Sequence, residues 1–157
     1  MPLTLANGTW LVITPLSGAY ALQLTPYSAR GLTQTFEPLT GSGAAGQTWL
    51  RRDVNGTLRN LVDTRFQKYK STITCTDGET PCLDNGWIGI TCEVSCAFEL
   101  SYPTGASPAR PVVAGSSRTQ GLITYYRPQL LMIVAGIKVS GAEYPATYNW
   151  QIELEEV

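Results

Sequence analysis

The feature that most constrains this chain is a strict period of two near its C-terminal end. Tyr148, Trp150, Ile152 and Leu154 alternate with Asn149, Gln151, Glu153 and Glu155. Successive side chains of an extended strand point to opposite faces, whereas a helix brings every third or fourth residue to one face. This spacing therefore separates apolar from polar only if the segment is a strand. A strand with one wet face belongs in an antiparallel sheet. A second alternation runs through Ile88, Ile90, Cys92, Val94, Cys96, Phe98 and Leu100, with Thr91, Glu93, Ser95 and Glu99 opposite. It predicts a central core strand over 88–100. Tyr69, Ser71, Ile73 and Cys75 alternate with Lys70, Thr72 and Thr74. They predict another strand, expected to pair antiparallel with 88–100 across the loop from Thr76 to Trp87.

The rest of the chain carries strand signals at short spacing, punctuated by Gly and Pro, and almost no long helical periodicity. Asn55-Gly56 lies between Leu50-Arg-Arg-Asp-Val54 and Thr57-Leu-Arg-Asn-Leu61. Asn-Gly supplies the two positive φ angles of a type I′ turn, so a tight hairpin is expected. Asp63 is a candidate N-cap for one or two helical turns reaching Tyr69, with Phe66 inward. Gly121 to Pro128 and Gln129 to Gly136 are β-type runs. Pro128 between them must sit at an edge, a bend or a strand start, because it donates no ladder hydrogen bond. The loop Thr40 to Gln47 is flexible by composition, and the loop Pro103 to Pro111, with three prolines, is stiffer and extended. Strand patterning is alike on both sides of each loop. The expectation is one β-rich domain over residues 1–157, mainly β, an antiparallel β-sandwich or split β-barrel with at most one short helix.

Function classes fall away in turn. The 11 basic residues are scattered and balanced by 12 acidic ones, so there is no clustered charge to neutralise phosphates, and no nucleic-acid partner is expected. Arg51-Arg52 and Lys68-Tyr69-Lys70 read as solvated strand or turn faces. The apolar run from Leu130 to Ile137 is far short of the roughly 20 residues a membrane helix needs, so no membrane partner is expected. Met1 to Gly8 lacks a basic n-region and an apolar core, which points to synthesis and folding in the cytoplasm. The chain contains no histidine. That removes His-activated nucleophiles, the commonest metal ligand and the best proton shuttle near neutral pH. Glu153, Glu155 and Glu156 read as the outer face and end of the last strand, and Asp77, Glu79 and Asp84 as decoration of the cysteine loop. The expectation is a protein that is not an enzyme, with no catalytic, cofactor-binding or metal-binding residues and no cofactor.

Cys75, Cys82, Cys92 and Cys96 form the one chemically suggestive cluster. Their spacing lacks the tight C-x2-C knuckles of a four-cysteine zinc site. In an extended strand Cys92 and Cys96 stand about 13 Å apart, too far for a bond between them. Three readings stay open: buried free thiols, one or two disulfides through Cys75 or Cys82, or a metal site. Asn7-Gly8-Thr9 and Asn55-Gly56-Thr57 match the glycosylation sequon but read as Asn-Gly turns. In Tyr125-Tyr126, strand alternation should place one ring in the core and one outside.

Five strings together resemble a small structural protein of long-tailed (siphovirus-type) bacteriophage tails. They are Phe66-Gln-Lys-Tyr-Lys-Ser-Thr-Ile-Thr-Cys-Thr-Asp, Trp87-Ile-Gly, Arg110-Pro-Val-Val-Ala-Gly-Ser, Tyr125-Tyr-Arg-Pro-Gln-Leu-Leu-Met and Trp150-Gln-Ile-Glu-Leu-Glu-Glu-Val. Within that group the chain is most similar to the tail-tip class related to distal tail proteins. The resemblance implies a virion protein assembled in the host cytoplasm. It would form a homo-oligomeric, six-fold ring joining tail tube to tip, with itself and other tail proteins as partners. The two Gly- and Pro-rich loops would then be contact arms ordered on assembly. A tail tube or terminator ring is an alternative within the resemblance. Outside it stands a carbohydrate-binding β-sandwich, with Trp10, Trp49 and Trp87 as aromatic platforms.

Overall fold

The computed structural model describes residues 11–16, 32–39, 50–61, 67–77, 88–144 and 147–157. In chain order the strands are β1 (Val12–Pro15), β2 (Thr33–Pro38), β3 (Leu50–Arg52), β4 (Leu58–Asn60), β5 (Tyr69–Asp77), β6 (Thr91–Ser95), β7 (Leu100–Pro103), β8 (Arg118–Gln120), β9 (Ile123–Tyr126), β10 (Gln129–Ala142) and β11 (Thr147–Glu156). No helix occurs among the described residues, and the fold is mainly β, built of antiparallel sheets. The helix expected from Asp63 lies largely outside the described residues. At its far end Gln67 and Lys68 are irregular and Tyr69 already belongs to β5.

The largest sheet has the order β1-β6-β10-β11-β5-β2, with every pair antiparallel. Its spine is the long hairpin β10-β11. The period of two in β11 is realised as read: Trp150, Ile152 and Leu154 are buried, with more polar residues between them. Cross-strand neighbours extend this inner face through Ile73 and Cys75 of β5, Leu130, Met132 and Val134 of β10, Cys92 and Val94 of β6, and Ile13 of β1. In β10 the inner positions skip from Val134 to Ile137, because Ala135 is an extra residue between the pairs Val134↔Leu154 and Gly136↔Glu153. This β-bulge restores phase, so that Ile137 faces the same side as its partner Ile152.

The sheet curls. Laid flat, β2 would stand four strand spacings, about 19 Å, from β6. Yet the Gln34 side-chain oxygen of β2 accepts from the Ala97 N–H at 2.8 Å, and Phe36 packs on Phe98 with ring centroids 4.4 Å apart. The chain leaving β6 thus closes over the inner face and then enters a three-stranded sheet of order β7-β9-β8. The return passes through Arg127 and Pro128, where β9 ends and β10 begins. Pro128 sits at this break, in an isolated bridge with Val112, as its missing donor requires.

Three sequence expectations are corrected. Strand β5 does not pair with β6; it lies between β11 and β2, three steps away. Its polar-outside, apolar-inside pattern fits any neighbour, and the C-terminal strand takes the place beside it. The 88–100 alternation is two strands rather than one. Gly89 turns at φ +93°, β6 covers only Thr91–Ser95, and the chain bends over residues 96–99 before β7 joins the other sheet. Finally, the Asn55-Gly56 hairpin forms, but with a three-residue loop. Gly56 N–H bonds the Asp53 carbonyl at 3.0 Å and Asp53 N–H bonds that of Thr57 at 2.9 Å. The Asp53 carboxylate also accepts from the Asn55 and Thr57 N–H groups, both at 3.0 Å. That favours a wider turn with Gly56 alone at the left-handed position, φ +78°.

Candidate assembly surfaces

The chemically suggestive residues come first. Cys92 and Cys96 are buried free thiols; burial pushes Cys92 up to about 11 and Cys96 to about 12. Protonated and enclosed, they are inert as nucleophiles near neutral pH. The Cys92 thiol donates to the Met132 carbonyl. Cys75, with its thiol toward the Thr76 carbonyl, lies on β5, three strands from Cys92 in the sheet order, and no disulfide joins the two. Cys82 lies outside the described residues, as do Glu79, Asp84, Trp10, Trp49, Trp87 and the Asn7 sequon. Among the described residues no three His, Cys, Asp or Glu side chains gather to hold a metal ion.

Two arginine nodes hold the loops. Arg110, on the Pro-rich loop, places Nε 2.8 Å from Glu156 Oε1, while Nη2 donates to Glu156 Oε2 at 3.2 Å and to the Gln67 carbonyl at 2.8 Å. The Nε contact is an ion pair without hydrogen-bond alignment, so the directional bonds come from Nη2. Glu156 Oε2 also accepts from Tyr69 N–H, and the guanidinium lies 5.1 Å from the Tyr69 ring centre, whose other neighbour is Phe36 at 4.1 Å. The Pro-rich loop is further stitched to the break before β10: Val113 N–H to the Arg127 carbonyl, and Gln129 N–H to that of Pro111. This corrects the expectation that the loop is ordered only on assembly, since its own chain already fixes it. It also moves Glu156 from an outer strand end to an anchored inner position. The loop Thr40 to Gln47 lies outside the described residues. In the second node, Arg118 makes a two-point contact with Glu99, at 3.1 and 2.7 Å, and lies 4.4 Å from the Tyr125 ring centre. The Arg118 hydrogen bond holds the Glu99 carboxyl below its usual range. Tyr126 is buried and Tyr125 half-exposed, the in-and-out division expected of an adjacent pair.

The outer face of the large sheet carries a trough of about 500 Å³. Its polar lining follows two cross-strand rows, Thr33-Thr74-Gln151-Lys138 and Thr76-Asn149-Ser140.

What stands out against this frame is the β3-β4 hairpin. All six of its strand residues are exposed, and each of its two strands packs substantially only on the other among the described elements. A two-stranded hairpin is marginal on its own. Leu50, Val54, Leu58 and Leu61 are half or more exposed, Val54 completely. Arg51 stands directly opposite Arg59, a like-charge pair that destabilises an isolated hairpin. Arg59 is tied to Asp53 at 3.2 Å. Among the described residues β1 and β2 are the open edges of the large sheet. Such exposed ladders are templates for another chain. Sequence reading placed this hairpin but missed its exposure. The one signal for it was leucine at positions where a three-residue strand has no core to face.

No family model, no curated protein and no solved structure matches this chain.

Proposed function

We propose that this protein is a structural subunit of a bacteriophage tail, a homo-oligomeric six-fold ring at the tail tip joining tail tube to tip components. The carrying observation is the exposed β3-β4 hairpin. It offers leucines and arginines to solvent, and among the described elements its strands pack substantially only on each other, which a covering partner would account for. The open edges β1 and β2 support the same reading, since rings are made by heterologous contacts that close when the rotation allows. The buried, protonated thiols and internally paired arginines would supply stiffness to such a subunit. The resemblance of the five strings to tail-tip proteins turns this general assembly reading toward the phage tail.

Native mass spectrometry of the full chain, with particle averaging by electron microscopy, tests it. A closed ring is expected. A strict monomer at all concentrations that also fails to join other tail proteins overturns it. The second reading, a carbohydrate-binding module, draws on the trough with its rows of hydroxyl and amide groups. Binding of the monomer to a glycan array, lost on Asn149→Ala and Gln151→Ala, would favour it.

A further inference from the structure

The outer face of the large sheet is polar almost throughout, with one departure at the end opposite the β10-β11 turn. Leu131 lies directly between Glu93 of β6 and Val157, whose N–H continues the ladder to the Leu131 carbonyl at 3.0 Å. Leu131 is 43% exposed and Val157 51%. In the next row Glu155, Ile133 and Thr91 are cross-strand neighbours, and Leu16, 56% exposed, bonds through its N–H to the Thr91 carbonyl. Four apolar side chains thus gather around two carboxylates, with Lys68 at the margin, where its Nζ donates to Val157 O at 2.6 Å. Glu93 spends one oxygen on the Gln129 amide, at 3.2 Å, and Glu155 makes no ion pair with its cross-strand neighbour Lys70.

The hairpin is the complement of this patch. Leu50 and Leu58 share one of its faces with Arg52, because Leu50 opposes Asn60 and Arg52 opposes Leu58. Three arginines and one aspartate give residues 50–61 a formal charge of +2 (3 − 1). Arg52 stands on the leucine face, where its Nη1 donates to the Gly56 carbonyl at 2.8 Å, while the opposed Arg51 and Arg59 lie on the other face and add to the positive potential of the strand pair. We infer that the β3-β4 hairpin of one copy docks on the outer sheet face of a second copy, Leu50 and Leu58 covering Leu131 and Val157, with Arg52 meeting Glu93. The inference rests on the ring reading and gives it a contact. The two surfaces are different parts of the chain, so the contact is head-to-tail, the type that propagates around a ring. Apolar burial holds the contact, and the charges steer approach and fix register.

Charge reversal and its rescue test the docking. Sedimentation velocity of the full chain is compared for wild type, Arg52→Glu, Glu93→Arg and the double variant, with circular dichroism to confirm folding; both residues sit on the surface. Each single reversal should weaken self-association about tenfold or more, and the double variant, which restores an opposite-charge pair at every contact, should recover most of it. Raising the salt concentration should weaken wild-type association. Leu58→Ser and Leu131→Ser provide an uncharged second arm and should each dissociate the assembly without altering the monomer's spectrum. Wild-type oligomers that ignore all four substitutions, or a double variant no better than the singles, would overturn the docking while leaving the ring intact. A wild type that never self-associates would overturn both.

Discussion

Replacing Arg110 with alanine removes a side chain that ties the Pro-rich loop to the ends of β5 and β11 at once. The guanidinium and the Glu156 carboxylate are 23% and 10% exposed, so the pair is mostly screened from water. Opposite unit charges about 3 Å apart attract by roughly 5–6 kcal/mol at an effective dielectric near 20, and desolvation returns more than half of that. The lost stacking on Tyr69 adds about 0.5–1 kcal/mol. Losing the Arg110 bonds at the Gln67 carbonyl and at Glu156, which keeps the Tyr69 N–H, adds to the same side. The expected net loss is about 2–3 kcal/mol, which for a chain of this length lowers the thermal midpoint by roughly 4–10 °C. Urea unfolding of wild type, Arg110→Ala, Glu156→Ala and the double variant should give a coupling energy above about 1 kcal/mol. Arg110→Lys keeps the charge but not the planar contacts, so it should recover less than half of the loss. Limited proteolysis should open the segment 104–117 in Arg110→Ala and not in wild type. A loss under about 0.5 kcal/mol with the loop still protected would refute the claim that the chain itself orders this loop.

The thiols should report burial and pH together. Cys92 and Cys96 should resist a thiol reagent at pH 8 until denaturant is added, and Cys92→Val should leave the folded protein intact. Because burial holds their folded pKa values, about 11 and about 12, above the ordinary 9.0, the folded state keeps its protons after the unfolded chain releases them. Their contribution is therefore intact below pH 9 and is lost as pH climbs through 11 to 12, so unfolding free energy measured between pH 8 and 11 should fall, less steeply in Cys92→Val. Gly141→Ala should destabilise by about 1–3 kcal/mol, because its new Cβ would meet the Tyr148 ring at 2.8 Å; Tyr148→Ala in the same chain should relieve most of that in denaturant titrations. Leu154→Ala, at a fully buried site, should cost about 2–5 kcal/mol by the same measurement, whereas Leu131→Ala on the outer face should stay within about 0.5 kcal/mol for the monomer.

Facing is local, and so the sequence by itself determined which residues of the main strands point inward. The period of two in β11 and β5, the division of Tyr125 from Tyr126 and the break at Pro128 all follow from pleat geometry and a missing donor, and each is legible from a handful of neighbouring residues. Partner choice is not local. Nothing in the alternation of Ser71, Ile73 and Cys75 distinguishes β6 from β11 as a neighbour, and the sheet places β11 there. The 88–100 alternation likewise conceals a change of sheet, because inward-facing residues look the same whichever core they enter. The extra residue Ala135 is visible in the sequence only as inner positions that step by three between Val134 and Ile137, and only the β11 ladder gives that step its meaning. The candidate surfaces divide in the same way. Leucines and arginines around Asn55-Gly56 are plain to read, but that the two hairpin strands pack substantially only on each other among the described elements is not. The pairing of Arg110 with Glu156, 46 positions apart, exists only once the chain has closed. Tertiary structure alone decided those matters, because they depend on which distant groups meet rather than on what each residue prefers.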